Sequence, residues 1–238
     1  MIESVPGVDW RDLQNRVAAI LSECGMSTEV ARTVRTVRGV VEVDVFATDP
    51  STTPPSIYLV ECKRWQTLVP KAEVKSFRTD VSDFGAHFGL FISARGFQSG
   101  APQVVKHTNV HLLSWPAFQE LFEERWCCRF WVPTVRDRCD NLLAEIDPPS
   151  GSDACVRLAH GDAITPAEAV GMLALDLWDP SFLGMLAAMG LPAQPFAPRI
   201  WRLQERYREF LPERAAAADT LREFMDALIE TAENYGSR

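Results

Sequence analysis

Apolar residues recur at helical spacing from Trp10 through Leu13, Val17, Ile20 and Leu21, with Asp9 placed to cap the helix and Gly25 to end it. A β-rich stretch follows, in which Val30 to Thr36 turns at Arg38-Gly39 into Val40 to Ala47. Asp49-Pro50-Ser51-Thr52-Thr53-Pro54-Pro55 is loop by composition, and Ile57 to Lys63 is the next strand. Beyond Pro70 the spacing of Val74, Phe77, Val81 and Phe84 predicts a second amphipathic helix. Phe88 to Ser93 reads as a strand, and Ser99 is placed to cap a short helix through Val105. Val110 to Leu113 makes a last strand before a helix carrying Phe118, Leu121 and Phe122. The expected fold is therefore α/β, with an αβββαβαβ core followed by a mainly α-helical C-terminal region.

The second half holds no convincing strand. Asp147-Pro148-Pro149-Ser150-Gly151-Ser152 reads as a linker or loop. Thr165-Pro166-Ala167-Glu168 is a capping box with proline at the first helical position, so a helix starts there. Leu221, Phe224, Met225, Leu228 and Ile229 form an apolar stripe on a C-terminal helix, the pattern of core or partner-facing packing. The expected division is a first domain over 1–131 and a helical region over 132–238.

Composition narrows the class. The 238 residues are 47% hydrophobic and 24% charged, ordinary globular values with enough apolar surface for a sizeable core. No run of about 18 apolar residues exists, and the N-terminal residues lack the basic and apolar regions of a secretory signal, so a cytoplasmic protein without a membrane span is expected. The six cysteines show no zinc spacing and are expected as reduced thiols, several of them buried. The net charge of -8 is unevenly spread. Residues 1–135 carry 14 Lys and Arg against 15 Asp and Glu, while residues 136–238 carry 10 against 17. The near-neutral first half leaves nucleic acid open as a partner, the more so if a metal neutralises some of its carboxylates.

One cluster carries chemistry. Glu42 and Asp44 alternate with valines and so share one face of their strand, while Glu61 and Lys63 share a face of the next. The second strand is apolar on both faces, the pattern of a covered central strand, where charges need compensation. Antiparallel pairing brings Asp44 to Glu61 and Lys63. Two carboxylates and an ammonium at a strand end suit a divalent metal with an adjacent base or charge stabiliser; a structural ion pair at a sheet edge is the alternative. Glu73-Val74-Lys75 has the same spelling as Glu61-Cys62-Lys63, but lies on a helix, where residues two apart do not face each other.

Gly39-Val40-Val41-Glu42-Val43-Asp44-Val45, Glu61-Cys62-Lys63-Arg64-Trp65 and Gly96-Phe97-Gln98-Ser99-Gly100-Ala101 together resemble the Mrr-like restriction endonucleases of the PD-(D/E)XK nuclease superfamily. The resemblance runs from about Asp9 to Phe122 and includes the order of elements. It implies a restriction-endonuclease-like mixed sheet flanked by helices and a metal-dependent endonuclease acting on DNA, in restriction or anti-phage defence. It implies that Asp44 and Glu61 bind Mg²⁺, for which Mn²⁺ can substitute, with the Cys62 backbone carbonyl as a further ligand, and that Lys63 orients or activates the attacking water. Members often carry a Glu in the first helix; this chain has Gln14 at the equivalent place, so Gln14 and Glu42 are accessory candidates.

Arg95, Gln98 and Ser99 lie where a helix opens and are candidate phosphate contacts, the alternative being a capped turn. Trp65 could stack on a base, although packing is the commoner use of tryptophan. The four histidines show no metal spacing. The C-terminal helices could mediate a homodimer or bind a defence-system partner. A nuclease fold serving only as a nucleic-acid-binding or interaction module is the rival to catalysis.

Overall fold

Asp9 accepts a hydrogen bond from the Asp12 N–H at 2.8 Å and so caps α1 (Trp10–Glu23). Gly25, at φ +83°, lets the chain turn away from the helix end. The remaining elements of this part are β1 (Ser27–Thr36), β2 (Gly39–Asp49), β3 (Ser56–Lys63), α2 (Lys71–Phe84), β4 (Phe88–Ser93), α3 (Ala101–Val105), β5 (Val110–Ser114) and α4 (Trp115–Trp126). This is the element order expected from the sequence. In this computed structural model the described residues are 1–142, 154–159, 163–177 and 196–236; the linker read at Asp147–Ser152 lies outside them.

The five strands form one mixed sheet in the order β1-β2-β3-β4-β5. The β1–β2 and β2–β3 pairs are antiparallel, and the β3–β4 and β4–β5 pairs are parallel through the crossovers α2 and α3. One core cluster joins Phe46, Leu59 and Phe91 of the sheet to Val74, Phe77 and Val81 of α2. Leu13, Val17, Ile20 and Leu21 of α1 are fully buried. Gly89 on β4 is a packing glycine: an added Cβ would lie 2.7 Å from Val81 Cγ2 and 3.0 Å from Val110 Cγ2.

The β1–β2 hairpin is irregular at one point. Its register is continuous, Val30 opposite Val45 and Arg32 opposite Val43, but the intervening Ala31 has φ +53°. A non-glycine residue there is uncommon and strained. Val43 and Phe46 differ in parity yet enter the same core cluster, so β2 rolls over between them. Strict alternation would have sent them to opposite faces. Asp44 sits at the roll.

Two differences from sequence expectation are local. The α3 N-cap is Gly100, without a side-chain cap bond, so Ser99 does not cap it. Trp10 and Leu121 are exposed although they fit the helical apolar spacing.

The chain divides into two compact units, Val5–Phe122 and a second made of Met1–Ser4 with Glu123–Arg238, where the sequence alone predicts a single boundary after 131. Within the second unit, a π-helical turn (Cys127–Trp131), α5 (Val132–Arg138), a short 3-10 turn (Asp140–Leu142), α6 (Ala154–Ala159), α7 (Pro166–Leu177), α8 (Phe196–Tyr207), α9 (Glu213–Ala216) and α10 (Leu221–Gly236) follow the end of α4. No strand occurs there among the described residues. The capping box at α7 forms as the sequence predicts: the Thr165 N–H reaches Glu168 Oε2 at 2.7 Å and the Glu168 N–H reaches Thr165 Oγ1 at 3.3 Å.

The first four residues complete the start of α10. The Leu221 and Arg222 N–H groups donate to the Met1 and Ile2 carbonyls, each at 3.1 Å. Those are two of the N–H groups that a helix leaves without internal partners. Ile2 is fully buried, and Glu3 Oε1 accepts from Arg222 Nε at 2.6 Å.

Among the described residues no helix is long and apolar enough to cross a membrane. Five described cysteines are free, and all but Cys128 are buried. Burial pushes the thiol of Cys139 up to about 12, and partial desolvation together with the Glu124 carboxylate pushes that of Cys128 up to about 11, so neither forms a thiolate readily at neutral pH.

Candidate active site

The regular β2–β3 pairing ends at Val45 opposite Val60. Immediately past it, the Cys62 N–H donates to Asp44 Oδ2 at 2.7 Å. The other carboxylate oxygen, Oδ1, accepts from Gln14 Nε2 at 2.6 Å. Gln14 is 5% exposed, on α1. The roll of β2 thus turns Asp44 into a link between the first helix and the central strand.

Glu61 and Lys63 lie on one face of β3 and form an ion pair through Oε1 and Nζ. Burial pushes the Asp44 carboxyl up, against the opposing pull of the Cys62 N–H, Lys63 and Gln14. Burial also pushes Glu61 up, reinforced by repulsion from Asp44. Lys63 keeps its proton: burial acts to lower its pKa, but the hydrogen bond to Glu61 and the charges of Glu61, Asp44 and Glu73 raise it overall. The thiol of Cys62 is pushed well up by burial and by the neighbouring carboxylates, which leaves its backbone as the useful part of that residue.

Other expected site residues fall at different distances from this centre. Glu42 is exposed, and its charge reaches Asp44 only as a weak repulsion. The roll of β2 separates the environments of the two carboxylates that alternation would place together. Arg95, Gln98 and Ser99 are exposed on the segment that leaves β4 beside the end of β3. Lys63 is in register with Ser93, and the Ala94 N–H donates to the Lys63 carbonyl at 3.0 Å. Ser93 Oγ accepts from the Gly96 N–H at 3.0 Å, fixing the turn. The segment is then zipped to the loop after β3: the Val69 N–H donates to the Gly96 carbonyl and the Gln98 N–H to the Val69 carbonyl, each at 3.0 Å.

Glu73 is a neighbour that helix spacing does not reveal. Its Glu-x-Lys spelling on α2 has no local meaning, yet its charge acts on both Glu61 and Lys63. Its nearness arises from the β3–α2–β4 crossover rather than from spacing along the chain.

The restriction-endonuclease model of the Mrr catalytic type matches residues 5–122, and its limits coincide with the first compact unit. Residues 5–122 form an Mrr-type restriction-endonuclease domain. No curated protein matches the chain. The crystal structure of a protein of unknown function, AF1548, is similar at 14% identity and a TM-score of 0.40, covering 97% of this chain and 100% of that one.

The donor set of the Mrr-type domain suits a hard cation. Asp44 and Glu61 offer only oxygen; both carry the cost of burial, and Glu61 also repulsion from Asp44, which a cation would relieve. Among the described residues no group of three or more His, Cys, Asp or Glu stands ready to hold a metal ion.

Proposed function

We propose that the chain is a divalent-metal-dependent endonuclease that hydrolyses phosphodiester bonds in DNA. The observation that carries this reading is the joining of Asp44, Glu61 and Lys63 at the carboxyl end of β3, within a domain of the restriction-endonuclease family. Asp44, Glu61 and the Cys62 carbonyl would hold Mg²⁺ or Mn²⁺, which supplies Lewis-acid neutralisation of phosphate charge.

The chain's own residues do the rest. Gln14 and the Cys62 N–H fix both Asp44 oxygens, so the carboxylate stays oriented without reorganising. Lys63 acts through the proton it keeps: its ammonium offers donors to a phosphate oxygen or to the attacking water, while Glu61 holds it in place. Arg95, Gln98 and Ser99, exposed at the neighbouring strand end, would contact the phosphate backbone of the substrate. Family membership supports restriction or phage defence as the setting.

Purified full-length protein incubated with plasmid and Mg²⁺ is expected to nick or linearise it. Asp44→Ala, Glu61→Ala and Lys63→Ala should each abolish the reaction while leaving the circular dichroism spectrum unchanged, because the groups act as one unit. Equal cleavage by the wild type and the three variants would remove the assignment.

A further inference from the structure

The net charge of the chain hides where its acids are missing. It carries 32 Asp and Glu, yet residues 84–119 contain none. That stretch holds Arg95, Lys106 and three of the four histidines. It includes β4, α3 and β5, so α3 and the turns on either side of it bring no carboxylate to the surface. Helix α2, which packs beside α3, carries three: Glu73, Asp80 and Asp83.

Helix α2 turns its cations, not its acids, towards α3. At about 100° per residue, Lys71, Lys75, Arg78 and Ser82 fall within about 60° of arc. Glu73 and Asp80 lie about half a turn round from them. The cationic flank is the one beside α3: Arg78 Nη1 donates to the Val104 carbonyl at 2.9 Å, and a Cβ added to Gly100 would lie 3.6 Å from Lys71 Cδ. Glu73 is on the flank whose charge acts on Glu61 and Lys63. Asp83 is held by Arg38 at 2.9 Å. Lys71, Lys75 and Lys106 are exposed, and none has an ion-pair partner among the described residues.

The row of cations starts beside the candidate site. Lys71 follows Val69 and Pro70, and Val69 is bonded to Gly96 and Gln98 of the segment that carries Arg95 and Ser99. At the far end, Arg78, Ser82 and His107 line a polar cleft of about 560 Å³. From Lys71 to Ser82 the helix rises about 17 Å. Phosphates recur about every 3.4 Å of axis along one strand of a duplex, so the row spans about five of them.

We infer that this face of α2 and α3 carries the backbone of double-stranded DNA, with Lys71, Lys75, Arg78 and Lys106 as phosphate contacts. The inference rests on the nuclease reading for its ligand and deepens it by naming the face along which the duplex runs from the site. Such contacts supply affinity and orientation but read no base.

The test is anisotropy of the full-length protein with two fluorescein-labelled duplexes of unrelated sequence, in Ca²⁺ buffer from about 50 to about 200 mM NaCl. Lys75→Ala and Lys106→Ala should each reduce the slope of log affinity against log salt by about 0.9. Each variant should then lose about 3.5-fold less affinity across that range than the wild type. Both duplexes should respond alike, and Lys75→Arg and Lys106→Arg should restore the slope. Arg208→Ala removes an exposed cation of the helical unit, paired there with Glu205, and should leave the slope as it is. Unchanged slopes in both Lys→Ala variants, a loss confined to one sequence, an equal loss in Arg208→Ala, or no binding of either duplex would overturn the inference. Plasmid cleavage in Mg²⁺ by the wild type and Asp44→Ala is read separately. Asp44-dependent cleavage beside unchanged slopes keeps the nuclease reading and removes only the α2–α3 face. Reduced slopes without Asp44-dependent cleavage keep the face and remove the nuclease reading.

Discussion

Replacing Gln14 by a carboxylate tests the electrostatics of the site more directly than removing a ligand does. In Gln14→Glu the side chain keeps its size but faces Asp44 across a contact of 2.6 Å. If both groups ionise, their repulsion at that distance is about 6 kcal/mol for an effective dielectric constant of about 20. Holding a proton on a carboxyl at pH 7 costs only about 4 kcal/mol from an ordinary pKa of about 4.3. Protonation is cheaper, so the pair shares a proton and the proton replaces the lost amide donor. The folded-state pKa of the new carboxyl therefore lies above its unfolded value. Such a group leaves stability intact below the unfolded pKa and lowers it as pH rises towards the folded pKa. Without metal, the variant should match the wild type near pH 4 and be about 2–4 kcal/mol less stable near pH 7. Differential scanning calorimetry of both proteins in EDTA at several pH values measures this difference. Mg²⁺ should narrow the gap at pH 7, because a cation relieves the repulsion that forces the proton on. Identical pH profiles for variant and wild type would refute the argument, since they would place residue 14 away from Asp44 in solution.

Gly89→Ala should destabilise the nuclease domain by about 1–3 kcal/mol through overpacking, because its Cβ would meet the stiff Val81 side chain at 2.7 Å; a denaturant melt measures the shift. Ile2→Ala should cost about 2–5 kcal/mol in the helical unit, since Ile2 is fully buried there; far-UV circular dichroism on heating follows the loss of helix. Ca²⁺ should bind without supporting cleavage, because it accepts the same oxygen donors but is a poorer Lewis acid toward bound water. Titration calorimetry on the wild type and Asp44→Ala checks this, and equal Ca²⁺ binding by the two would take Asp44 out of the metal site.

The sheet was legible because its signals are local. Phe88 to Ile92 carries no polar side chain, and Val74, Phe77 and Val81 mark α2 by period alone. The pairing of Glu61 with Lys63 and the approach of Asp44 follow from alternation plus one antiparallel connection. What alternation misses is the roll at Ala31 and Asp44, which exposes Glu42 while half-burying Asp44. No residue type at those positions announces it. Trp10 fits a helical stripe, yet it is the first residue of the helix and stays exposed. Glu73 and residues 1–4 were missed for a related reason: their partners are set by long-range packing, which no window of sequence contains.

The use of Met1–Ser4 by the second unit makes the nuclease domain an insert in the chain of another folding unit. Synthesis runs from the N-terminus at about 5–20 residues per second. Val5–Phe122 is therefore complete while the helical unit still lacks nearly all of its sequence. Residues 1–4 are made before the domain yet placed after it, because the Leu221 and Arg222 N–H groups that bond Met1 and Ile2 do not yet exist. Ile2, fully buried at the end, spends that interval in water beside a finished domain. For these four residues the order of assembly is thus the reverse of the order of arrival, and the sequence of the inserted domain is finished with most of its host still unwritten.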